Sequence, residues 1–304
     1  MDYKNEITVL CLNPSLEITF DRKSEFNLQE DNIVVDKINF EPGGKGINVC
    51  RILRQVDIHS EVRGFIGGEV GIMLKRMLKS QKINFKFYNT AENTRASVIL
   101  NSEIKEQQTV IRYLNSKVDI LSKKAFFKDL LNQNFTLMDY ITIGKLARYK
   151  QAKLFIDNFD EKIKVLFRFN PFLITPNLKE AEKILKFPAS NTSDVIKMIK
   201  EFVDNGCTNV IIKLGKDGAI AFFQKSFFEI KTVAANIVNP IGAGDALMAG
   251  LIANFQKHSD EIEYLAKSFK FATSSLYCLG SGKIDLKYLR KLPDSNIRII
   301  KMKL

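Results

Sequence analysis

The stretch Asn239-Pro240-Ile241-Gly242-Ala243-Gly244-Asp245-Ala246-Leu247-Met248-Ala249-Gly250 carries residue types at a spacing that chemistry could use. A residue before proline is pushed out of the helical region, so Val238-Asn239-Pro240 reads as extended or turning. Two glycines and an apolar run through Phe255 at helical spacing put a helix start at Gly242 to Gly244. The first amides of a helix lack intrahelical partners and stand at the positive end of its dipole. Glycines there let a phosphate touch the backbone. Asp245 falls in the first turn, where a carboxylate beside an anion cradle can take a proton from an attacking hydroxyl. The arrangement suits phosphoryl transfer to an alcohol, in which positioning and charge stabilisation supply most of the rate. Taken alone, Gly-Ala-Gly-Asp fits a glycine-rich turn with an acidic helix start equally well.

Two other phosphate motifs are excluded. The third glycine of a G-x-G-x-x-G pattern would fall on Leu247, and G-x-x-x-x-G-K-[ST] is spelled nowhere. A second glycine cluster, Pro42-Gly43-Gly44-Lys45-Gly46, precedes apolar positions 47, 49, 52, 53 and 56 that fit a helix. Its glycines would let backbone approach a ligand, while Lys45 offers a cation and Asn48 a fixed amide.

With 304 residues the chain can bury a large core. No apolar run spans a bilayer, and the polar start Met1 to Glu6 is unlike a signal peptide, so the expected location is cytoplasmic. Cys11, Cys50, Cys207 and Cys278 lack CxxC spacing and read as buried reduced thiols. With only His59 and His258, a histidine metal site or a Ser-His-Asp triad has little material. The formal charge of +12 asks for an anion. The lysines are spread along the chain without a basic, aromatic-interleaved stripe, which favours phosphorylated small molecules over nucleic acid.

The elements that must position these residues follow from periodicity. Strands are expected at Ile7–Leu12, Val62–Ile66, Ile83–Phe87, Met138–Ile143, Leu154–Asp157, Phe172–Thr175 and Asn209–Leu214, the first and last of them buried. Alternating, half-exposed strands are expected at Leu16–Phe20, Ile33–Phe40, Thr94–Leu100 and Thr109–Tyr113, forming a small separate sheet. Helices are expected after Gly46, after Gly71 to about Ser80, and at Phe126–Leu131, Leu178–Phe187, Asp194–Asp204, 243–256 and Ile262–Leu279. Ala219–Gln224 and Phe227–Val233 read as a hairpin. About ten residues separate Ile143 from Leu154, tight for a parallel crossover, so a reduced or missing helix is expected between them. Strands alternating with helices imply an α/β fold with a mostly parallel sheet.

The chain resembles the ribokinase/PfkB carbohydrate kinases, and within them the phosphosugar branch of 1-phosphofructokinase and tagatose-6-phosphate kinase. The likeness covers nearly the whole length. It rests on Leu12-Asn13-Pro14, Pro42 to Val49, Gly64-Phe65-Ile66-Gly67-Gly68, Thr94-Arg95, Pro176-Asn177-Leu178-Lys179-Glu180, Leu214-Gly215-Lys216-Asp217-Gly218-Ala219 and Gly242-Ala243-Gly244-Asp245, in the right order. It implies a single ribokinase-like domain over 1–304, a three-layer α/β/α sandwich with a mostly parallel central sheet and a small β-sheet lid built from about 14–41 and 93–114.

The resemblance further implies ATP and Mg²⁺, with Asp245 as the base and Gly242, Ala243 and Gly244 holding the moving phosphoryl group. Asn177 and Glu180 would place Mg²⁺, through waters since that ion dehydrates reluctantly. Lys213, Gly215, Asp217, Gly218, Asn239 and Gly280 would serve the nucleotide. A phosphorylated ketohexose would sit on Glu17, Gly43, Gly44 and Asn48, its existing phosphate gripped by Arg95 and Lys45. The lid would exclude water and, as in relatives, pair two subunits. Neither nucleic acid nor membrane is an expected partner.

Some positions depart from the branch pattern. Glu17 stands where relatives carry Asp, Ser97 replaces Asn in Thr-Arg-x-Asn, and Ile143 to Ala147 replaces Ser-Gly-Ser-Leu-Pro. Thr175 replaces the lysine of Lys-Pro-Asn. The expected reaction is fructose 1-phosphate to fructose 1,6-bisphosphate. Tagatose-6-phosphate kinase, or a catalytically weak binding protein derived from a kinase, are the alternatives.

Overall fold

A computed structural model describes residues 7–29, 31–102, 108–112, 118–119, 121–123, 125–126, 139–157, 161–233, 237–255, 257, 260–293 and 296–303. The chain divides into two compact units, residues 1–126 and 127–304.

In the first unit, β1 (Ile7–Cys11), β4 (Ser60–Ile66) and β5 (Asn84–Asn89) form a parallel sheet in the order β1-β4-β5. Helices α1 (Lys45–Gln55) and α2 (Gly68–Ser80) connect its elements. Ile47, Cys50, Val62, Leu78 and Ile83 are buried in one cluster with Cys11, which is why the apolar residues of α1 recur at helical spacing.

A second sheet has the order β3-β2-β6-β7, from β2 (Ser15–Arg22), β3 (Lys37–Gly43), β6 (Arg95–Ser102) and β7 (Gln108–Arg112). Register puts Phe40, Ile18, Val98 and Ile111 side by side on one face, and Glu17, Glu41 and Ser97 on the other. Leu16 and Ile18 of the apolar face pack with Ile66 and Leu74. Farther along, Ile38, Phe40 and Ile111 are exposed. The strand expected at Ile33–Phe40 begins at Lys37 instead, since β2 ends at Arg22 and pairs no further than Asp21 with Lys37. Pro42 is tolerated because β3 is an edge strand.

In the second unit a six-stranded sheet has the order β13-β12-β11-β10-β9-β8. Strands β8 (Phe155–Ile156), β9 (Leu173–Ile174) and β10 (Val210–Lys213) are parallel. Strands β11 (Ala219–Phe223), β12 (Ser226–Thr232) and β13 (Ile297–Lys301) continue antiparallel. The β11–β12 hairpin turns on Gln224 and Lys225, both at positive φ, a two-residue turn made without glycine. Leu173, Ile211, Phe223, Phe228 and Ile230 pack against Leu247, Leu251, Tyr264 and Phe269. The last four lie on α6 (Ala243–Asn254) and α7 (Glu261–Ser275). A β-carbon on Gly250 would press on the Ser268 carbonyl oxygen, so glycine there sets how closely α6 and α7 approach. The remaining helices of this unit are α3 (Asp139–Tyr149), α4 (Leu178–Leu185), α5 (Thr192–Asp204) and α8 (Leu286–Lys291).

Helix α3 corrects two expectations. Of the strand expected over Met138–Ile143, the described residues are helical, and the helix expected to be reduced reaches Tyr149. The cause is tertiary. Ile143 and Gly144 are buried, and a side chain at 144 would strike the ring of Phe169. Arg148 donates to the Arg168 carbonyl at 3.2 Å and lies over the Phe169 ring. Phe169 closes a nine-residue 3-10 segment, Glu161–Phe169, that the periodicity did not reveal. These contacts outweigh the strand propensity of the β-branched residues at 141–143. The helix expected at Phe126–Leu131 lies, beyond Phe126, outside the described residues. Among the described residues no helix is long and apolar enough to cross a membrane.

Candidate active site

In the second unit, the carboxyl ends of three adjacent parallel strands carry the polar groups. Asp157 follows β8, Thr175 follows β9, and Lys213 ends β10. Thr175 Oγ1 donates to Asp157 Oδ1 at 2.7 Å, and Lys213 Nζ stands 2.6 Å from the same oxygen. The Lys213 and Asp157 side chains are 18% and 9% exposed, so the pair is shielded from bulk water. In open parallel sheets, ligands settle outside this edge.

Helix α6 begins beside that cluster. Its N-cap is Gly242 in the left-handed region at φ 89°, and no side chain caps it. A β-carbon at Gly242 would stand 3.3 Å from Ser281 Cα, which sets the Gly280-Ser281-Gly282 loop against the helix start. Asn239 is buried and accepts the Ile241 amide at 2.9 Å, fixing the turn through Pro240. Leaving aside its chain neighbours and the backbone of α6, a β-carbon on Gly244 would have one heavy atom of the described residues within 4 Å, Lys213 Nζ at 3.3 Å. Asp245, the third residue of the helix, is buried at 7% exposure. The helix start therefore offers backbone amides that no side chain caps, the Ala243 amide reaching only the Pro240 carbonyl at 3.5 Å, with a neighbouring ammonium and a buried carboxylate.

Asn177 and Glu180 cap α4 reciprocally. The Asn177 side chain accepts the Glu180 amide at 2.9 Å, and Glu180 Oε2 accepts the Asn177 amide at 2.8 Å. Asn177 pairs with Lys213 through an isolated parallel bridge, so this cap adjoins the end of β10. Among the described residues no group of three His, Cys, Asp or Glu could cage a metal. An amide and a carboxylate at a strand edge suit a hydrated Mg²⁺ held mostly by phosphates, since carboxylate oxygens keep lone pairs for metal-bound water.

The nucleotide candidates around β10 form a tight loop. Gly215 sits at φ 66° with open space around it, while a side chain on Gly218, at φ 88°, would strike the Ile230 carbonyl. The Leu214 amide donates to Gly218 O at 2.8 Å and closes the loop. Asp217 lies exposed in its 3-10 turn.

In the first unit, Gly43 and Gly44 join β3 to α1, with Gly44 at φ 114° against Cys11 Sγ and Pro14. Lys45 opens α1 in an exposed position and Asn48 is buried one turn on. Glu17 and Arg95 lie on the polar face of the small sheet. The Arg95 guanidinium donates to the Asn13 carbonyl at 3.3 and 3.4 Å. Thr94 Oγ1 accepts the Gly67 amide at 2.9 Å, so two of the motifs read from sequence lock together. Arg51, which the sequence did not single out, is buried, 3.6 Å from Glu41. Burial pulls its guanidinium pKa down, while Glu41 and then Glu17 oppose that shift.

Asp157 was not anticipated. The available signal was an acid ending the apolar run Leu154-Phe155-Ile156, the pattern of a buried strand delivering a polar group at its carboxyl end.

The sequence pattern of the pfkB family carbohydrate kinases matches residues 10–285. A 1-phosphofructokinase of Borreliella burgdorferi is 31% identical over 286 residues, covering 88% of this chain and 90% of the relative. A Thermotoga maritima structure described as a possible 1-phosphofructokinase has a TM-score of 0.85 at 20% identity, covering 98% of this chain and all of its own. The phosphofructokinase-2 of Escherichia coli in complex with fructose 6-phosphate has a TM-score of 0.81 at 19% identity, covering 94% of this chain and 97% of its own.

Proposed function

Because the chain belongs to the pfkB family of carbohydrate kinases, and is thus a sugar phosphotransferase, we propose that it phosphorylates fructose 1-phosphate to fructose 1,6-bisphosphate with ATP. The observation that carries this reading is the helix start at Gly242, without a side-chain cap and with buried Asp245 at its third position. The name of the Borreliella relative supports the choice of acceptor.

In the proposed reaction the sugar hydroxyl oxygen bonds to the γ-phosphorus, the bond to the β,γ-bridging oxygen breaks, and ADP departs. Asp245 takes the hydroxyl proton. The amides of Gly242, Ala243 and Gly244 hold the equatorial oxygens in transit. Gly215, Asp217, Gly218, Asn239 and Gly280 line the nucleotide, with Lys213 at its phosphates. Asn177 and Glu180 would hold Mg²⁺, through water since that ion dehydrates reluctantly, and the ion would supply charge neutralisation on the phosphates. Glu17, Gly43, Gly44 and Asn48 contact the sugar, and Arg95 with Lys45 takes its phosphate, Arg providing a planar fork. The small sheet acts as the lid. Exposed Ile38, Phe40 and Ile111 on its apolar face support pairing of two copies there. The four free cysteines suit a reducing cytoplasm.

A panel of phosphorylated and unphosphorylated sugars with ATP and Mg²⁺ tests the reading. Turnover of fructose 1-phosphate is expected. Turnover confined to unphosphorylated acceptors overturns the substrate, and faster turnover of tagatose 6-phosphate reassigns it. Asp245→Asn is expected to lower kcat by about 10²–10⁴ with ADP affinity and melting temperature kept. Near-wild-type kcat removes Asp245 as the base. One observation favours a second reading, a sugar-phosphate binder without efficient turnover: the Glu17 side chain fills the space over Gly43. Thermal stabilisation by fructose 1-phosphate without ADP formation would support it.

A further inference from the structure

The glycine-rich helix start is served by a cation from β10, a strand separated from it in the chain by the β11–β12 hairpin, and the geometry points to a specific job for it. We propose that Lys213 is the ammonium that neutralises the phosphoryl group during transfer, held in place by Asp157 and Thr175. This deepens the kinase reading and rests on it.

Three observations converge. Over Gly244, leaving aside its chain neighbours and the backbone of α6 itself, Lys213 Nζ is the one heavy atom among the described residues within 4 Å of where a β-carbon would stand, so a phosphoryl group resting there meets that ammonium. The ammonium is held by Asp157 Oδ1 at 2.6 Å, and Thr175 Oγ1 donates to the same oxygen at 2.7 Å, which orients the carboxylate from the strand between. The Lys213 amide donates to Pro176 O at 2.9 Å, fixing the base of the side chain against β9. An ammonium has three donors, and the carboxylate uses one direction. A fixed cation beside the amides of a helix start is the preorganised charge that phosphoryl transfer needs.

Thr175 marks the departure from the Lys-Pro-Asn pattern. The hydroxyl at 175 and the ammonium at 213 meet on one oxygen. A lysine on either strand end can thus address the same carboxylate, and this chain delivers its cation from β10 rather than β9. Asp157 and Thr175 are positioning residues in this scheme.

A merely structural ion pair is the competing explanation, and it is separable. Removing one member strands a shielded charge, whereas removing both does not. Lys213→Gln keeps a donor for Asp157 without the charge, and the double variant Lys213→Met/Asp157→Asn removes both charges. ADP binding without metal is measured by calorimetry, and kcat and KM with ATP and fructose 1-phosphate. In whichever of the two variants folds, we expect kcat reduced by about 10²-fold, KM for the sugar phosphate unchanged, and ADP affinity weakened about tenfold. The relocation variant Lys213→Thr/Thr175→Lys should recover at least about tenfold of the lost kcat. Wild-type kcat and ADP affinity in a folded charge-free variant overturns the proposal and leaves the kinase reading intact. A parent that binds ADP but turns over neither sugar phosphates nor free sugars overturns the kinase reading and the proposal with it. A parent that binds no ADP overturns both.

Discussion

The carboxylate arm of Glu17 lies in the space that a β-carbon on Gly43 would need, so the two residues close one patch of the polar face of the small sheet. Glu17 also pairs in register with Glu41, and Arg51 is buried close enough to feel both charges. The extra methylene relative to aspartate lets the arm cover Gly43, while the Glu17 charge, after that of Glu41, opposes the downward pull of burial on the Arg51 guanidinium. Glu17→Asp should withdraw the arm and lower KM for the sugar phosphate severalfold with kcat little changed. An unchanged KM in steady-state assays would detach Glu17 from the sugar. Glu41→Gln should destabilise more than Glu17→Gln, by roughly 2–4 kcal/mol in urea unfolding, because Glu41 is the nearer partner of a buried guanidinium.

Gly215 and Gly218 both sit at positive φ, yet their surroundings differ. Nothing lies within 4 Å of a β-carbon on Gly215, whereas one on Gly218 would run into the Ile230 carbonyl of the neighbouring strand. Gly215→Ala should cost only the left-handed conformation, about 1–2 kcal/mol. Gly218→Ala should cost clearly more, because backbone must move to relieve the collision. Equal midpoint shifts in denaturant would contradict this account of the loop.

Much of this was legible in the chain. Ile7–Cys11, Val210–Lys213 and the two helices after Asn177 and Asn191 declare themselves by period and by cap residues, and each formed where local signals agreed. What was not legible depended on partners distant in sequence. Helix α3 is decided by Phe169, a residue at the end of a 3-10 segment some 20 positions beyond the helix, a distance local pattern does not bridge. Lys213 was named as a nucleotide residue, but its meaning comes from Asp157, 56 positions earlier and two strands over. The edge strand Ile297–Lys301 carries too short a signal to read without β12 beside it.

The capping box of α4 allows the metal role of Glu180 to be separated from its structural role. Glu180 Oε2 accepts the Asn177 amide at 2.8 Å, and a glutamine oxygen can accept the same bond. Glu180→Gln should therefore keep the melting temperature within a degree or two, while raising the Mg²⁺ concentration for half-maximal activity severalfold. Asn177→Ala should instead lose about 1 kcal/mol of stability, since the α4 amide loses its acceptor. A Glu180→Gln enzyme with an unchanged Mg²⁺ response would confine that residue to capping.

Buried thiols set the alkaline limit. Burial pushes the Cys50 thiol up to about 12, against a smaller opposing effect of its hydrogen bond with Ser60, and burial alone pushes Cys207 up to about 12. Both ionise near 9.0 when unburied. Above that pH the unfolded chain releases these protons while the native chain keeps them, so the unfolded state binds fewer protons and stability falls as pH rises. The contribution is intact below pH 9 and is lost as pH climbs toward 12, at about 1.4 kcal/mol per pH unit for each thiol. Tyr264, also raised by burial and donating to Leu251 O at 2.9 Å, adds to the decline once unfolded tyrosine ionises near 10. Urea unfolding between pH 8 and 10.5 should therefore show a steep loss of stability, and Cys50→Ala and Cys207→Ala should each flatten its slope. Parallel pH profiles for parent and variants would mean that neither thiol resists ionisation in the native state.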